Sequence, residues 1–267
     1  MAFKLFDYQS SGKGVSKSAP QKKPFFKYWE IFGRKFWKLI ELNMLYVLFC
    51  IPIITFGPAT AALTHVMRKF ILEQPCFVFD EFFTAFKKNF KQSVFIGIVD
   101  VIMIVSVWIA CFQFLMNESL PDGSLVFICI MICCATLVFI MHFYIYLEIV
   151  ALNLSIGSIL KNAVFLVFLG VKRNFIALII NLVIISLIVL FLPFSVFAVI
   201  FLPLSLMCFT TTFICYPVIQ KYIVNPYYEE RGERNPELGS ITEEDIAENA
   251  VFVDRGGSEK EIKATPK

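Results

Sequence analysis

"CIPIITFGPATAALTHVMRKF", residues 50–70, decides how this chain is threaded. It starts inside a long apolar run, is interrupted by Pro52, Gly57 and Pro58, and resumes as a helix-like segment ending in Arg68 and Lys69. Pro52 has no N–H to offer the carbonyl of Leu48, Pro58 fixes the first turn of the returning segment, and Gly57 gives the chain freedom just before it. The break at Pro52, Thr55, Gly57, Pro58 and Ala59 therefore reads as the outer turn of a helical hairpin. Gly57 and Ala61, with Ala59 and Ala62 beside them, are small residues at the spacing that lets two helices approach closely. Broken helices also build substrate sites in transporters, where freed backbone groups face a cavity. Both readings stand at this point.

Outward from the break the chain is oily: 58% of its 267 residues are hydrophobic and 17% charged, far more apolar than a soluble domain of that length. Apolar runs recur at Phe36 to Phe56, Ser93 to Leu115, Leu125 to Val150, Phe175 to Leu192 and Phe194 to Ile219. A helix needs about 20 such residues to cross roughly 30 Å of hydrocarbon, so five spans are expected. The segment from Pro58 to Leu72 makes a sixth. It is short, reaching roughly 22 Å, and suffices only if Arg68 and Lys69 snorkel to the interface.

Charge placement tests that count, because Lys and Arg accumulate in cytoplasmic loops. With the N-terminus inside and six segments threaded, all 24 Lys and Arg residues fall on the inner side or at inner helix ends. The outer loop Asn117 to Ser124 then carries only Glu118 and Asp122. Residues 1–24 are Ser, Gly and Lys-rich, show no secretory signal pattern, and are expected to be a disordered basic segment with nothing removed. Residues 25–224 form the helical membrane domain. Residues 225–267, with 11 acidic and 6 basic residues, are expected to be a disordered acidic cytoplasmic tail. The positive remainder suits anionic lipid headgroups rather than nucleic acid, and the eight cysteines, mostly inside apolar runs, read as small buried hydrophobes.

An internal repeat adds detail. Residues 25–42, 79–96 and 164–181 align with apolar positions at Phe25/Phe79/Val164, Trp29/Phe83/Phe168, Phe32/Phe86/Val171 and Phe36/Phe90/Phe175, a helical spacing. Each copy reads as an amphipathic helix at the cytoplasmic interface, followed by an outward and a return segment. The fold expected is an all-α polytopic membrane protein: six membrane-embedded helices as three hairpins, each preceded by an interfacial helix. In the middle copy Phe79, Phe82, Phe83, Phe86 and Phe90 form an aromatic stripe that is a candidate partner surface, with burial among headgroups as the alternative.

Asn43 to Leu63, with its Pro-x-x-Thr-x-Gly-Pro-Ala core at Pro52, Thr55, Gly57, Pro58 and Ala59, followed by Phe79 and the run Phe86 to Gln92, resembles the signature of the YesL-like family of bacterial integral membrane proteins. The resemblance covers residues 25–220. It implies a bacterial cytoplasmic membrane location and encoding near carbohydrate ABC importers and glycoside hydrolases, with no settled biochemical activity, and it transfers no functional residue.

Chemical motifs are few. Ser11 to Ser18 lacks the phosphate-loop spacing, the ATPase-docking pattern of importer permeases is missing, and with only His65 and His142 there is no zinc-protease or nucleophile-elbow signature. No enzyme activity, cofactor or metal is expected. What remains is a set of intramembrane ionisable residues, Glu41, His65, Asp100, His142 and Glu148, which are functional candidates by their cost in hydrocarbon. For Glu41 and Glu148 the alternative is snorkelling or pairing with a cation such as Lys38, and for Asp100 and the histidines it is structural hydrogen bonding. Asn43, Asn153 and Asn181 read as glue between helices. Two functions follow: a non-enzymatic accessory or scaffold subunit of a carbohydrate ABC import system, or a small-solute transporter with a polar pathway through Asp100 and the histidines.

Overall fold

The computed structural model describes residues 23–116, 124–152, 154–233, 235 and 237. The expectations for residues 1–22, the outer loop at 117–123, Asn153 and most of the acidic tail lie outside the described residues. Every regular element among those described is helical: α1 (Pro24–Cys50), a 3-10 turn (Ile53–Thr55), α2 (Phe56–Ile71), α3 (Val78–Met116), α4 (Ser124–Ala151), α5 (Ile156–Leu169), α6 (Val171–Leu190), α7 (Ser195–Phe201), α8 (Pro203–Ile219), a π turn (Gln220–Val224) and α9 (Asn225–Arg231). The chain divides into two compact units, Met1–Lys221 and Tyr222–Lys267. In the second, α9 starts at a proline, stacks Arg231 on the Tyr227 ring at 4.2 Å and ends at Gly232 in the left-handed conformation. The start of the segment expected to be disordered is thus helical.

Four stretches are long and apolar enough to cross a membrane: Val78–Ala110, Leu125–Ala151, Val171–Leu190 and Pro203–Arg231. The run Phe36 to Phe56, expected to be a full span, is not among them. Its helix, α1, stops at Cys50, and its last 18 residues carry Arg34, Lys35, Lys38 and Glu41.

The short segment of the opening stretch, α2, is the centre of the first unit. Twelve of its 16 residues are buried, on every side of the helix, by α1, α3, α4 and α8. A helix wrapped in this way needs small or apolar residues all round, and Ala59, Ala61, Ala62, Leu63, Val66, Met67 and Phe70 supply them. Its length no longer has to match the bilayer, because it packs against protein. The break before it is closed by Thr55, whose hydroxyl proton is shared between the carbonyl of Phe49 at 2.6 Å, which the end of α1 leaves without an intrahelical donor, and that of Pro52 at 2.7 Å, which also accepts the Thr55 N–H. Gly57 lies directly against Gly97 of α3, so two helix backbones touch there.

The aligned aromatic segments are not separate interfacial helices. Residues 25–42 run without a break into the rest of α1, and residues 79–96 are the first half of the 39-residue α3. At about 1.5 Å per residue α3 reaches roughly 58 Å, nearly twice the hydrocarbon thickness, so it cannot lie wholly inside it. The third copy is the one that breaks, at Gly170 between α5 and α6. A side chain there would run into the Tyr144 hydroxyl.

Charged residues gather where α2 ends. Glu73 takes a left-handed φ of 56°, unusual outside glycine, and turns its carboxylate to Arg34 Nη2 at 2.5 Å and Lys27 Nζ at 3.7 Å. The Arg34 guanidinium holds the Glu73 carboxyl below its ordinary value.

Candidate functional site

A cavity of about 160 Å³ lies between α2, α4 and α8, with Tyr46 of α1 and Asn181 of α6 completing its wall. Helical spacing builds it. Thr60 and Thr64 face it from successive turns of α2, Phe139, His142, Phe143 and Tyr146 from α4, and Leu204, Met207, Cys208, Thr211 and Thr212 from α8. Behind the α4 wall, Asp100 of α3 is buried with both carboxylate oxygens engaged. Tyr146 donates its hydroxyl to Oδ2 at 2.8 Å, and His142 Nδ1 lies 3.1 Å from Oδ1. The His142 and Tyr146 rings are in contact, tilted at 56° with centroids 4.6 Å apart. A histidine whose Nδ1–H is held by a carboxylate keeps its orientation and presents Nε2 for work. A carboxylate, an imidazole and a phenol from two helices thus form one cluster, two members of which line the cavity.

The hydroxyls around the cavity are ordered by the helices that carry them. Thr60 donates to the Phe56 carbonyl and Thr64 to the Thr60 carbonyl, each at 2.8 Å. With its proton committed, Thr60 accepts from the Tyr46 hydroxyl at 3.2 Å. Asn181 donates to Thr211 at 2.8 Å and so ties α6 to α8, the gluing role read for it from sequence.

The structure brings together two of the five ionisable candidates, Asp100 and His142. His65 does not join them. It sits 3.3 Å from Glu81, which also pairs with Lys69 at 2.5 Å, so the two histidines belong to separate polar clusters. Glu41 lies exposed on α1, and Lys38, its expected partner, bonds the Cys76 carbonyl at 3.1 Å instead. Glu148 neither snorkels nor pairs: its side chain is fully buried, with neither oxygen hydrogen-bonded among the described residues.

The aromatic stripe of α3 is not a free surface. Phe82 is fully buried, Phe83 and Phe86 are partly buried, and Phe49 of α1 inserts among the three with ring centroids 5.1 to 5.5 Å away. Phe79 and Phe90 remain at the surface. Sequence reasoning also missed Tyr46, Thr60, Thr64, Tyr146, Thr211 and Thr212. Hydroxyls inside apolar runs, Thr60 and Thr64 one turn apart and the consecutive Thr210 to Thr212, were the available signal.

The break, the Gly57 contact with Gly97 and Asp100 all fall within one stretch that other proteins share. Residues 39–111 match a family model described as a protein of unknown function, DUF624. The match supports the family resemblance at a coarse level and spans the end of α1, all of α2 and most of α3. It contains the α2 wall and Asp100, and it leaves His142, Tyr146 and the α8 wall outside. No curated protein and no solved structure matches the chain.

Proposed function

We propose that the protein binds a small polar solute in this cavity and carries it through the membrane. The observation that supports the reading is the convergence of Asp100, His142 and Tyr146 at the wall of a mostly apolar cavity, the usual make-up of a solute site. Each helix of the site belongs to a stretch read as membrane-embedded. The topology that goes with it has six such segments, α1, α2, α3, α4, α6 and α7 with α8, paired as three hairpins with both termini cytoplasmic.

Cysteine labelling tests that topology. Gly57 is unsuitable because any side chain there collides with α3, whereas Ile53 in the same turn is 70% exposed. In a Cys-free background, Ile53→Cys is expected to react with an impermeant thiol reagent added to intact cells, and Lys88→Cys is not. Labelling at Lys88 from outside would overturn the arrangement.

For the transport reading, proteoliposomes loaded with a mixture of small metabolites should release at least one of them faster than empty-membrane controls. Asp100→Asn, which keeps the shape but weakens the charge-assisted bonds to His142 and Tyr146, is expected to slow that release about tenfold. An Asn variant with unchanged release would leave Asp100 a structural role only. A second reading, an accessory subunit of a carbohydrate ABC import system, draws on the exposed Phe25, Phe26, Trp29 and Trp37 of α1, and would show as importer subunits co-purifying with the protein.

A further inference from the structure

The cavity's wall also says what kind of solute it takes, an inference that rests on the function just proposed. Three properties of the wall bear on it: charge, hydrogen-bonding sense and size.

Among the described residues, no Lys, Arg, Asp or Glu lines the cavity. An anion would meet hydroxyl lone pairs and aromatic faces with no cation to offset its desolvation. A cation would find no free carboxylate, because both oxygens of Asp100 are already engaged by His142 and Tyr146. Burying a charge without a counter-charge costs far more than burying a neutral polar group. The solute is therefore uncharged.

Four of the six hydroxyls on the wall have their protons directed away from the cavity, while Thr211 accepts from Asn181 and Thr212 meets the Cys208 thiol. Thr60 and Thr64 donate to their own helix, Tyr146 donates to Asp100, and Tyr46 donates to Thr60. What these groups still offer is lone pairs, and His142 adds Nε2, the nitrogen not facing Asp100. A wall rich in acceptors selects a solute that donates several hydrogen bonds. Phe139, Phe143, Leu204 and Met207 cover the remaining wall and suit C–H surface.

Size sets the last limit. A volume of about 160 Å³ is close to that of the engineered cavity of roughly 150 Å³ that holds benzene, a molecule of six heavy atoms. A hexose ring, with twice that number, would extend beyond this space through the open side of the cavity. We infer that the cavity between α2, α4 and α8 is a binding site for an uncharged polyol of three or four carbons, its hydroxyls donating to Thr64, Tyr46 and His142 and its carbon face lying on Phe139 and Phe143.

Counterflow in proteoliposomes tests this with four radiolabelled probes: erythritol, glucose, the anion glycerate and the cation ethanolamine. Erythritol is expected to show saturable exchange, and the other three none. Thr64→Val, which keeps the side-chain shape and removes the acceptor, should raise the half-saturating erythritol concentration about three- to tenfold. Met207→Phe, which fills the cavity, should reduce exchange to the lipid background. The Thr64 variant carries the test alone if Met207→Phe does not elute as a monodisperse protein. Exchange of ethanolamine or glycerate in place of erythritol would overturn the solute class and leave the transport reading standing. Glucose exchange as fast as erythritol would overturn the size argument. No exchange of any probe, together with no release from the metabolite-loaded vesicles, would overturn both.

Discussion

Asn43→Leu should unfold much of the protein. Asn43 is fully buried on α1, and its side chain holds the junction between α7 and α8. Its amide donates to the carbonyls of Val199 and Ile200, each at 2.8 Å, and its Oδ1 accepts from the Ser205 N–H at 2.7 Å. The run Phe194 to Ile219, expected to be a single span, breaks at Leu202, where φ is −143°. In an unbroken helix the Val199 carbonyl would receive the N–H of residue 203, but that residue is proline and has none. The chain cannot satisfy this carbonyl from within, so straightening the helix does not remove the need for Asn43. Leaving a buried backbone group unpaired costs about 1–3 kcal/mol, and because the Val199 and Ile200 carbonyls are only partly buried the three together amount to roughly 3–6 kcal/mol, a large share of a typical total stability. Asn43→Asp should be at least as damaging, because it replaces both donors with lone pairs facing two carbonyls. Thermal unfolding in mild detergent measures both variants. A leucine variant melting within about 2 °C of the wild type would show that Asn43 only fills space.

The second large effect is expected at the crossing of α2 and α3. A Cβ added at Gly57 would collide with the Ser93 carbonyl, and one added at Gly97 would stand 2.6 Å from the Cα and N of Gly57. These neighbours are backbone atoms of α3 and of the first turn of α2, so no side chain can move aside. Gly57→Ala and Gly97→Ala must push the helices apart and open gaps along the most extensively packed pair in the protein, at about 3 kcal/mol or more. Gly33→Ala on α1 is the control. Nothing lies within 4 Å of its added Cβ, and alanine favours the helix by roughly 0.5–1 kcal/mol. Monodispersity and melting temperature should fall for the first two and hold or rise for the third. Equal behaviour of all three would remove the close crossing.

Local chemistry made part of this legible in advance. Proline spacing located the break, small residues around Gly57 signalled a close approach, and Asn43 and Asn181 read as glue. Partners distant in sequence were not legible. Asp100 and His142 are 42 residues apart and Asn43 and Ser205 are 162 apart, and no periodicity reveals that those pairs meet. The Phe79 to Phe90 stripe shows a second limit: helical spacing identifies a face but not whether lipid, protein or Phe49 covers it. Lys38 is close enough in sequence to pair with Glu41, yet a backbone carbonyl at Cys76 took it instead.

On the six-segment topology proposed above, the enclosure of α2 by its neighbours bears on how the chain enters the bilayer as it is made. A helix that must settle in lipid by itself is selected for partitioning, whereas α2 carries Thr60, Thr64, His65, Arg68 and Lys69 in only 16 residues. While it is newly synthesised and still without partners, this segment has little tendency to leave water. Its insertion depends on segments made later, above all α3, whose long apolar stretch holds itself in the membrane and offers Gly97 as a docking groove. On that topology the centre of the molecule is the part that is integrated after its surroundings.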